Sequence, residues 1–245
     1  MNKPMGKVFI TGDKHGDYRE VEEFCLKWNT SKDDLMIILG DNGVNYFGGA
    51  KDKRCKERLS CLPMSFFMIR GNHDQRPNKN YKEVKNAHPL VKGPCLVEDE
   101  FPSLVFAREY GEYKFFTFDA WKKAFIIAGA YSVDKEYRLY MNEVGYKQYR
   151  WFYDEQLYER EREEAERLIK NFKGYIMSHT CPMKYVPFDS FSPSGPGDNC
   201  DRTMERWMDK LEETVRYDKW FCGHYHIDKS VDKVKFMYHD IVELI

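Results

Sequence analysis

Five short apolar runs, each followed within three residues by Asp, Asn or His, constrain the fold of this chain more than any other feature. Between the first three runs lie segments with helical patterns, 18–28 and 51–59. Fully apolar strands that alternate with helices are typical of a parallel sheet covered on both faces. The sequence therefore predicts an α/β fold in which these runs are buried strands: 7–11, 35–39, 65–69, 174–178 and 219–222.

The rest of the chain predicts a more mixed architecture. Residues 95–130 contain four short β-type segments separated by turn residues, which indicates an antiparallel meander. Helical spacing predicts helices over 153–172 and 202–215, and we expect one or two further strands near the C-terminus. The stretch 180–199 has no periodicity and is expected to be a long loop that covers the site. No repeat or linker divides the chain, so we expect one domain over 1–245.

Composition limits which cellular compartment and which classes of binding partner are expected. The net charge of −1 provides no general attraction to nucleic acid, which makes a nucleic-acid partner less favoured without excluding it. The seven cysteines are odd in number and none has C-x-x-C spacing, which argues against a disulfide framework and a zinc knuckle. With no signal peptide and no apolar stretch near the ~20 residues of a spanning helix, we expect a cytoplasmic protein without a membrane partner.

The polar residues that follow the five runs form a coherent set. They read GDKHG at 12–16, GDNG at 40–43, GNHD at 71–74, SHT at 178–180 and GHYH at 223–226. Each is weak alone, because Asp-Gly pairs are common in turns and a lone histidine is usually structural. However, the carboxyl ends of parallel strands lie along one edge of a sheet, where ligands bind. We therefore expect these side chains to meet in space.

The side chains in this set suit first-row divalent metals. Carboxylate and amide oxygens and several imidazoles, with no thiolate, fit Mn, Fe or Zn better than a cysteine-rich zinc site. The donors are too many for one ion and suit two ions that share a bridging carboxylate. Two ions roughly 3.5–4 Å apart are the usual arrangement for displacement at phosphorus.

The order of these blocks, GDxH, GDxx, GNH[DE], an isolated histidine and GHxH, resembles the calcineurin-like metallophosphoesterase superfamily from Gly12 to His226. The resemblance implies a β-sandwich of mixed sheets flanked by helices on both sides, with the meander supplying the second sheet. It also implies two divalent ions, Mn being favoured, with a nucleophilic hydroxide between them. The implied ligands are Asp13, His15 and His226 for one ion, Asn72, His179 and His224 for the other, and Asp41 as the bridge.

The resemblance also implies the remaining catalytic roles. His73 would protonate the leaving oxygen or stabilise charge on the phosphoryl group, and Asp74 would orient it. The second block departs from the GDxVDRG pattern of protein phosphatases, because Val44 and Asn45 stand where its Asp and Arg would be. The phosphate-gripping arginine of that branch is therefore missing here. Four other polar residues are candidates to bind the phosphate in its place, although each could simply be a polar surface residue. They are Arg138 in an expected loop over 132–138, Arg76, Asn42 and Lys14.

The sequence thus predicts a metal-dependent phosphoesterase acting on a phosphomonoester or a phosphodiester. Its substrate would be a small phosphorylated compound, with nucleotides and phosphoproteins among the candidates. Aromatic residues near the blocks, such as Tyr46 and Phe47, could stack on a nucleobase or simply pack in the core. Two alternatives stay open: a non-catalytic metal-binding scaffold of the same fold, and a nuclease that uses the same site.

Overall fold

A computed structural model describes residues 6–190 and 200–245 of this chain, and within them fourteen strands form two seven-stranded sheets. The strands in chain order are β1 (Val8–Thr11), β2 (Leu35–Ile38), β3 (Ser65–Met68), β4 (Lys82–Lys85), β5 (Val91–Lys92), β6 (Pro94–Val97), β7 (Leu104–Ala107), β8 (Tyr110–Thr117), β9 (Ala120–Ile127), β10 (Lys173–Ser178), β11 (Arg216–Cys222), β12 (Lys229–Val231), β13 (Val234–Phe236) and β14 (Val242–Glu243). The helices are α1 (Arg19–Trp28), α2 (Gly49–Cys61), α3 (Lys135–Glu143), α4 (Glu159–Ile169) and α5 (Thr203–Thr214).

The first sheet has the strand order β14-β1-β2-β3-β7-β6-β4, and its centre is parallel. The three strands β1, β2 and β3 are buried along their whole length, as the continuous apolar runs predict. Alternate residues of these strands face opposite ways. Phe9 and Met36 pack against α1 and α2, whereas Ile10 and Ile37 pack against the second sheet.

The second sheet has the order β12-β13-β11-β10-β9-β8-β5. One face closes on the first sheet through residues such as Phe115 and Met177. The other face, with Ile176 and Trp220, packs against α4 and α5. The molecule is therefore a β-sandwich of two mixed sheets with helices on both sides, and the fold class expected from the sequence is confirmed.

The meander prediction is half wrong. Strands β6 and β7 pair with each other but belong to the first sheet, where β7 lies parallel to β3. Only β8 and β9, the next antiparallel pair, join the second sheet. A local alternation pattern specifies that two strands form a hairpin but does not specify which sheet receives it.

Two local predictions are also wrong. The helix expected over 153–172 begins only at Glu159 and ends at Ile169, and the irregular segment before it carries the buried side chain of Glu155. The loop expected over 132–138 contains the start of α3, on which Arg138 lies. The helices expected over 18–28, 51–59 and 202–215 are confirmed as α1, α2 and α5.

The long loop expected after β10 contains two short 3₁₀ turns, Met183–Tyr185 and Phe188–Ser190. The lid expected over 181–199 falls partly on 191–199, which lies outside the described residues. Within 6–190 and 200–245, no helix has the length and apolar character that crossing a bilayer requires. The single domain over 1–245 stays a prediction.

Candidate metal centre

The polar residues that follow β1, β2, β3, β10 and β11 converge on one edge of the sandwich. Parallel pairing in register is the reason, since Thr11 lies beside Ile38 and Ile38 beside Met68. In the second sheet Ser178 lies beside Cys222. The residues directly after these strand ends therefore emerge side by side, although some of them are 211 positions apart in the chain.

One group of donors consists of Asp13, His15 and His226. Asp13 Oδ2 lies 3.2 Å from His226 Nε2 and 3.9 Å from His15 Nε2. The two imidazole Nε2 atoms are 3.0 Å apart. One donor atom from each residue lies within 4.8 Å of the others, which is compatible with a shared metal ion.

A second group forms around His179, whose side chain is fully buried. His179 Nε2 lies 2.8 Å from Asn72 Oδ1 and 3.5 Å from Asp41 Oδ1. The ring of His224 is next to it, with the two ring centroids 4.9 Å apart. The other carboxylate oxygen of Asp41 lies 3.6 Å from His15 Nε2, so Asp41 stands between the two groups.

The chemistry of these contacts fits cations. His179 Nδ1 lies 2.7 Å from the Leu39 carbonyl oxygen, which can only accept a hydrogen bond, so the neutral ring carries its proton on Nδ1. In the neutral ring His179 Nε2 would face Asn72 Oδ1 with a lone pair on each atom. The contact therefore requires either a second proton on the ring, which the raised pKa of His179 favours, or a metal ion in place of that proton. The residues present are thus suited to hold divalent ions.

Electrostatics keep both carboxylates of the cluster ionised. Burial raises the pKa of Asp13 and of Asp41, but the nearby histidines, chiefly His179, outweigh burial and lower both values. Burial lowers the pKa of His179, but Asp41 and Asp13 outweigh it and raise the pKa to about 9. Ionised carboxylates are the form that binds a metal ion.

Backbone conformation at the cluster is unusual. His15, Asp41, His224 and His226 have φ values of 47°, 46°, 67° and 50°. This left-handed region is rarely occupied by residues other than glycine and costs of order 1–3 kcal/mol at each position. Such strain concentrates at functional sites, and here it turns the chain after β1, β2 and β11 so that the side chains from these three strand ends point to one place.

Motif glycines make room for side chains that arrive from neighbouring strands. A Cβ atom on Gly40 would lie 2.1 Å from His179 Nδ1. A Cβ atom on Gly71 would lie 2.1 Å from Asp41 Oδ1. The glycines of the second and third blocks are therefore required by close approach, in addition to any role in the turns.

Asp74 and Asn42 lie beneath the cluster and hold two of its loops together. The Asp74 carboxylate accepts hydrogen bonds from the backbone N–H of Asn42 at 3.0 Å and of Gly71 at 2.9 Å. The Asn42 side-chain amide donates to Asp74 Oδ2 and to the Ile69 carbonyl oxygen. The Asp74 carboxylate therefore accepts backbone N–H groups, and the Asn42 amide hydrogens are used by Asp74 and Ile69.

The basic residues considered for phosphate binding have different surroundings. Arg138 is fully buried on α3, where Nε donates to Asp134 Oδ1 and Nη1 to the Arg150 carbonyl oxygen. It lies close enough to His73 for its charge to contribute to the lowered pKa of that histidine. Lys14 points away from the cluster, because its Nζ donates to the Tyr238 carbonyl oxygen at 2.7 Å.

Arg76 is engaged in a separate network. Its guanidinium donates to Glu161 Oε1 at 2.6 Å and to the backbone carbonyl oxygens of Asp154 and Gln156. The structure thus assigns Arg76 to anchoring α4 and does not bring it to the donor cluster.

Replacing Arg76 with alanine should therefore lower stability and leave substrate affinity unchanged. Loss of its partly buried charged hydrogen bonds should reduce the free energy of unfolding by about 1–2 kcal/mol. Urea unfolding and the KM for a phosphate ester measure the two effects. Arg108→Ala, which removes an exposed ion pair with Glu83, is the matched control with a smaller stability loss. A raised KM in Arg76→Ala at unchanged stability would contradict this assignment.

Four residues at the site have no signal in the sequence. Ser132 accepts a hydrogen bond from Asn72 beneath the second group, and Glu155 in turn accepts from Ser132. Tyr238 stacks on the ring of His226, with centroids 4.7 Å apart and planes inclined by 16°. Glu205 accepts a hydrogen bond from Thr180 at 2.8 Å. Each reaches the site from a distant part of the chain, so no local spacing could have identified it.

Comparison with known proteins agrees with the fold and the motif order. The family model of calcineurin-like phosphoesterases matches residues 6–228. No protein with a curated description matches this chain. Among solved structures, the chain is similar to a phosphopantetheinyl hydrolase from Mycobacterium tuberculosis, with 13% identity over 96% of this chain and 89% of that chain and a TM-score of 0.43. Because the family match covers nearly the whole sequence and every motif block, this chain belongs to the calcineurin-like phosphoesterase family.

Proposed function

We propose that this protein hydrolyses a phosphoric ester with two divalent cations held at the strand ends. The observation that carries the proposal is the pair of donor groups around Asp13 and His179, with Asp41 between them. A single structural ion would not need a second set of donors on the other side of Asp41. A carboxylate that faces both groups is the feature that a two-ion site requires.

The donor sets divide between the cations as follows. One cation would be held by Asp13, His15 and His226. The other would be held by Asn72, His179 and His224, and Asp41 would contact both. When bound, the two ions would lower the pKa of a nucleophilic water and neutralise the charge of the phosphoryl oxygens. Mixed oxygen and nitrogen donors favour Mn, Fe or Zn, and manganese is the ion we would load first.

His73 is the residue proposed to act on the leaving group. Its backbone N–H donates to Asp41 Oδ1 at 2.8 Å, which fixes it to the cluster, and its ring lies 4.9 Å from that of His15. Burial, with a contribution from the Arg138 charge, lowers the pKa of His73 to about 4. The ring is therefore neutral without substrate, and an anionic phosphate beside it would favour its protonation. In that state it can donate a proton to the leaving oxygen.

The substrate is proposed to be a small phosphorylated compound. Tyr46 is half-buried at the rim, with its ring centroid 5.4 Å from that of His73, and it offers an aromatic surface to the organic part of an ester. Val44 is fully buried. Val44 occupies the position of the aspartate in the GDxVDRG pattern of protein phosphatases, and here that position belongs to the core. This difference supports a substrate other than a phosphoprotein.

The test compares p-nitrophenyl phosphate with bis-p-nitrophenyl phosphate. The protein is stripped of metal, and turnover is measured before and after Mn²⁺ is added. Turnover that returns with the metal supports the proposal, and the ratio between the two esters identifies a monoesterase or a diesterase. Two bound ions with no turnover of either ester would favour the non-catalytic scaffold.

His73→Ala should lower turnover about 10²–10⁴-fold, the usual effect of losing a general acid. The number of Mn²⁺ ions bound per chain should stay at two. His239→Ala, which removes an exposed histidine paired with Glu20, serves as the control with unchanged turnover. Because His73 also lies within 4.8 Å of donor atoms of His15 and Asp41, loss of one ion in His73→Ala would reassign it as a ligand.

A further inference from the structure

We propose that Ser132 and Glu155 form a buried relay that holds the Asn72 amide with its oxygen facing the metal site. Both are then positioning residues that act through Asn72. This inference rests on the proposed function only in that Asn72 contributes to a cation site.

The relay is a continuous chain of hydrogen bonds in the interior. Asn72 Nδ2 donates to Ser132 Oγ at 2.9 Å. The Ser132 hydroxyl donates to Glu155 Oε2, and the Ser132 backbone N–H donates to Glu155 Oε1 at 2.9 Å. All three residues are at most 3% exposed, so water does not compete for these contacts.

Proton positions in the relay follow from the chemistry of its last member. Burial raises the pKa of Glu155, and the hydrogen bonds from the Ser132 hydroxyl and backbone N–H oppose that shift by stabilising the carboxylate. As a carboxylate Glu155 only accepts hydrogen bonds, so the single hydroxyl proton of Ser132 is committed to it. The oxygen of Ser132 is then left as an acceptor, and only the NH₂ side of the Asn72 amide can face it. The amide oxygen must therefore face the opposite side, where it lies 2.8 Å from His179 Nε2.

Without Glu155 this orientation would not be specified. A hydroxyl free to rotate can donate to an amide oxygen as readily as it accepts from an amide NH₂. Asn72 could then turn its NH₂ group toward the metal site, where it cannot act as a ligand.

The chain incurs a cost to place Glu155 here. A buried carboxylate is unfavourable unless it is fully hydrogen-bonded. The irregular segment before α4 carries this carboxylate inward. Arg70 fixes the backbone of that segment, because its Nη1 donates to the Glu155 carbonyl oxygen at 2.9 Å. A serine and a glutamate that served packing alone could be replaced by apolar residues of similar shape, which often leaves stability unchanged or improves it.

The first experiment measures metal affinity, not activity. Metal-free protein is titrated with Mn²⁺ in a calorimeter, and Ser132→Ala is compared with the unsubstituted chain. The relay predicts about 10–100-fold weaker binding at one of two sites, as for other residues that orient a metal ligand, with the other site unchanged. Ser65→Ala is the matched control, because its buried hydroxyl donates to the Lys32 carbonyl oxygen away from the cluster. It should leave both affinities unchanged.

A second experiment separates orientation of the amide from general support of the fold. Asn72→Asp has an oxygen on both sides of its side chain and has no amide to orient. Adding Ser132→Ala to Asn72→Asp should therefore change Mn²⁺ affinity less than about threefold, or even improve it. A similar loss of affinity in both backgrounds would show that Ser132 only supports the fold and would overturn the relay.

The two proposals fail in different ways. If the unsubstituted chain binds two Mn²⁺ ions and Ser132→Ala binds them with the same affinities, the relay is wrong and the metal site stands. If the unsubstituted chain binds no Mn²⁺, both proposals are wrong.

Discussion

Replacing Asp41 with asparagine is expected to abolish metal-dependent hydrolysis of both test esters. The loss should exceed the ~10²–10⁴-fold that removal of a general acid costs, because the two oxygens of Asp41 lie 3.6 Å from His15 Nε2 and 3.5 Å from His179 Nε2, one nitrogen in each donor group. Asparagine keeps the size of the side chain but removes its charge and replaces one oxygen with an NH₂ group that cannot bind a cation.

Two further contacts of Asp41 strengthen this expectation. Its Oδ1 atom accepts the backbone N–H of His73 at 2.8 Å. Burial alone would lower the pKa of His179, and the Asp41 carboxylate is the largest of the effects that raise it instead. The substitution therefore disturbs the proposed leaving-group residue and the second donor group together.

The measurement combines Mn²⁺ stoichiometry with turnover. We expect Asp41→Asn to bind at most one ion per chain and to lack the rise in melting temperature that Mn²⁺ gives the unsubstituted protein. Asp99→Asn, at an exposed carboxylate paired with Lys82, is the control and should behave as the unsubstituted protein does. Two tightly bound ions in Asp41→Asn would show that Asp41 is not a bridge.

Replacing Gly40 with alanine is expected to have the largest effect on stability and to disrupt the second donor group at the same time. Gly40 has a φ of +106°, which an L-residue adopts only with strain, and its new Cβ atom would lie 2.1 Å from His179 Nδ1. The ring of His179 is fully buried and has little room to move. Backbone strain and overpacking together should lower the free energy of unfolding by about 2–5 kcal/mol.

Gly145 provides a matched control for this substitution. It has the same φ of +106°, but no atom lies within 4 Å of the position its Cβ would take. Gly145→Ala therefore measures the backbone cost alone, about 1–2 kcal/mol. The difference between the two variants in urea unfolding reports the clash with His179. Equal losses in both variants, with full Mn²⁺ binding in Gly40→Ala, would show that the motif glycine serves only the turn.

Much of the architecture is readable from the sequence because it depends on local patterns. The runs that became β1, β2 and β3 are apolar on both faces, and such strands can only be buried inside a layered α/β fold. Parallel strands then place their carboxyl ends on one edge, whatever the details of the helices. For that reason the polar side chains of five short motifs could be expected to meet, and the structure brings them together. Which seven of them hold metal was implied by the resemblance to the family and stays a prediction.

What the tertiary structure decided concerns partners from distant parts of the chain. Whether a hairpin joins the first or the second sheet depends on which strand edge is open to it, as β7 beside β3 shows. The sequence offers Arg76 as a candidate phosphate binder, and only the position of α4 shows that its guanidinium contacts Glu161.

The sequence motifs also do not predict the contacts of Asp74 and Glu155. The resemblance implies that Asp74 orients or tunes His73, and the contacts of its carboxylate in the structure are with the backbone N–H groups of Asn42 and Gly71. Glu155 reaches Ser132 from a segment whose charge pattern predicted helix. A sequence motif specifies which atoms are available for chemistry, whereas the partners of buried polar groups are set by long-range packing. Each such group must find a hydrogen-bond partner once water is excluded, and only the folded arrangement determines which partner is within reach.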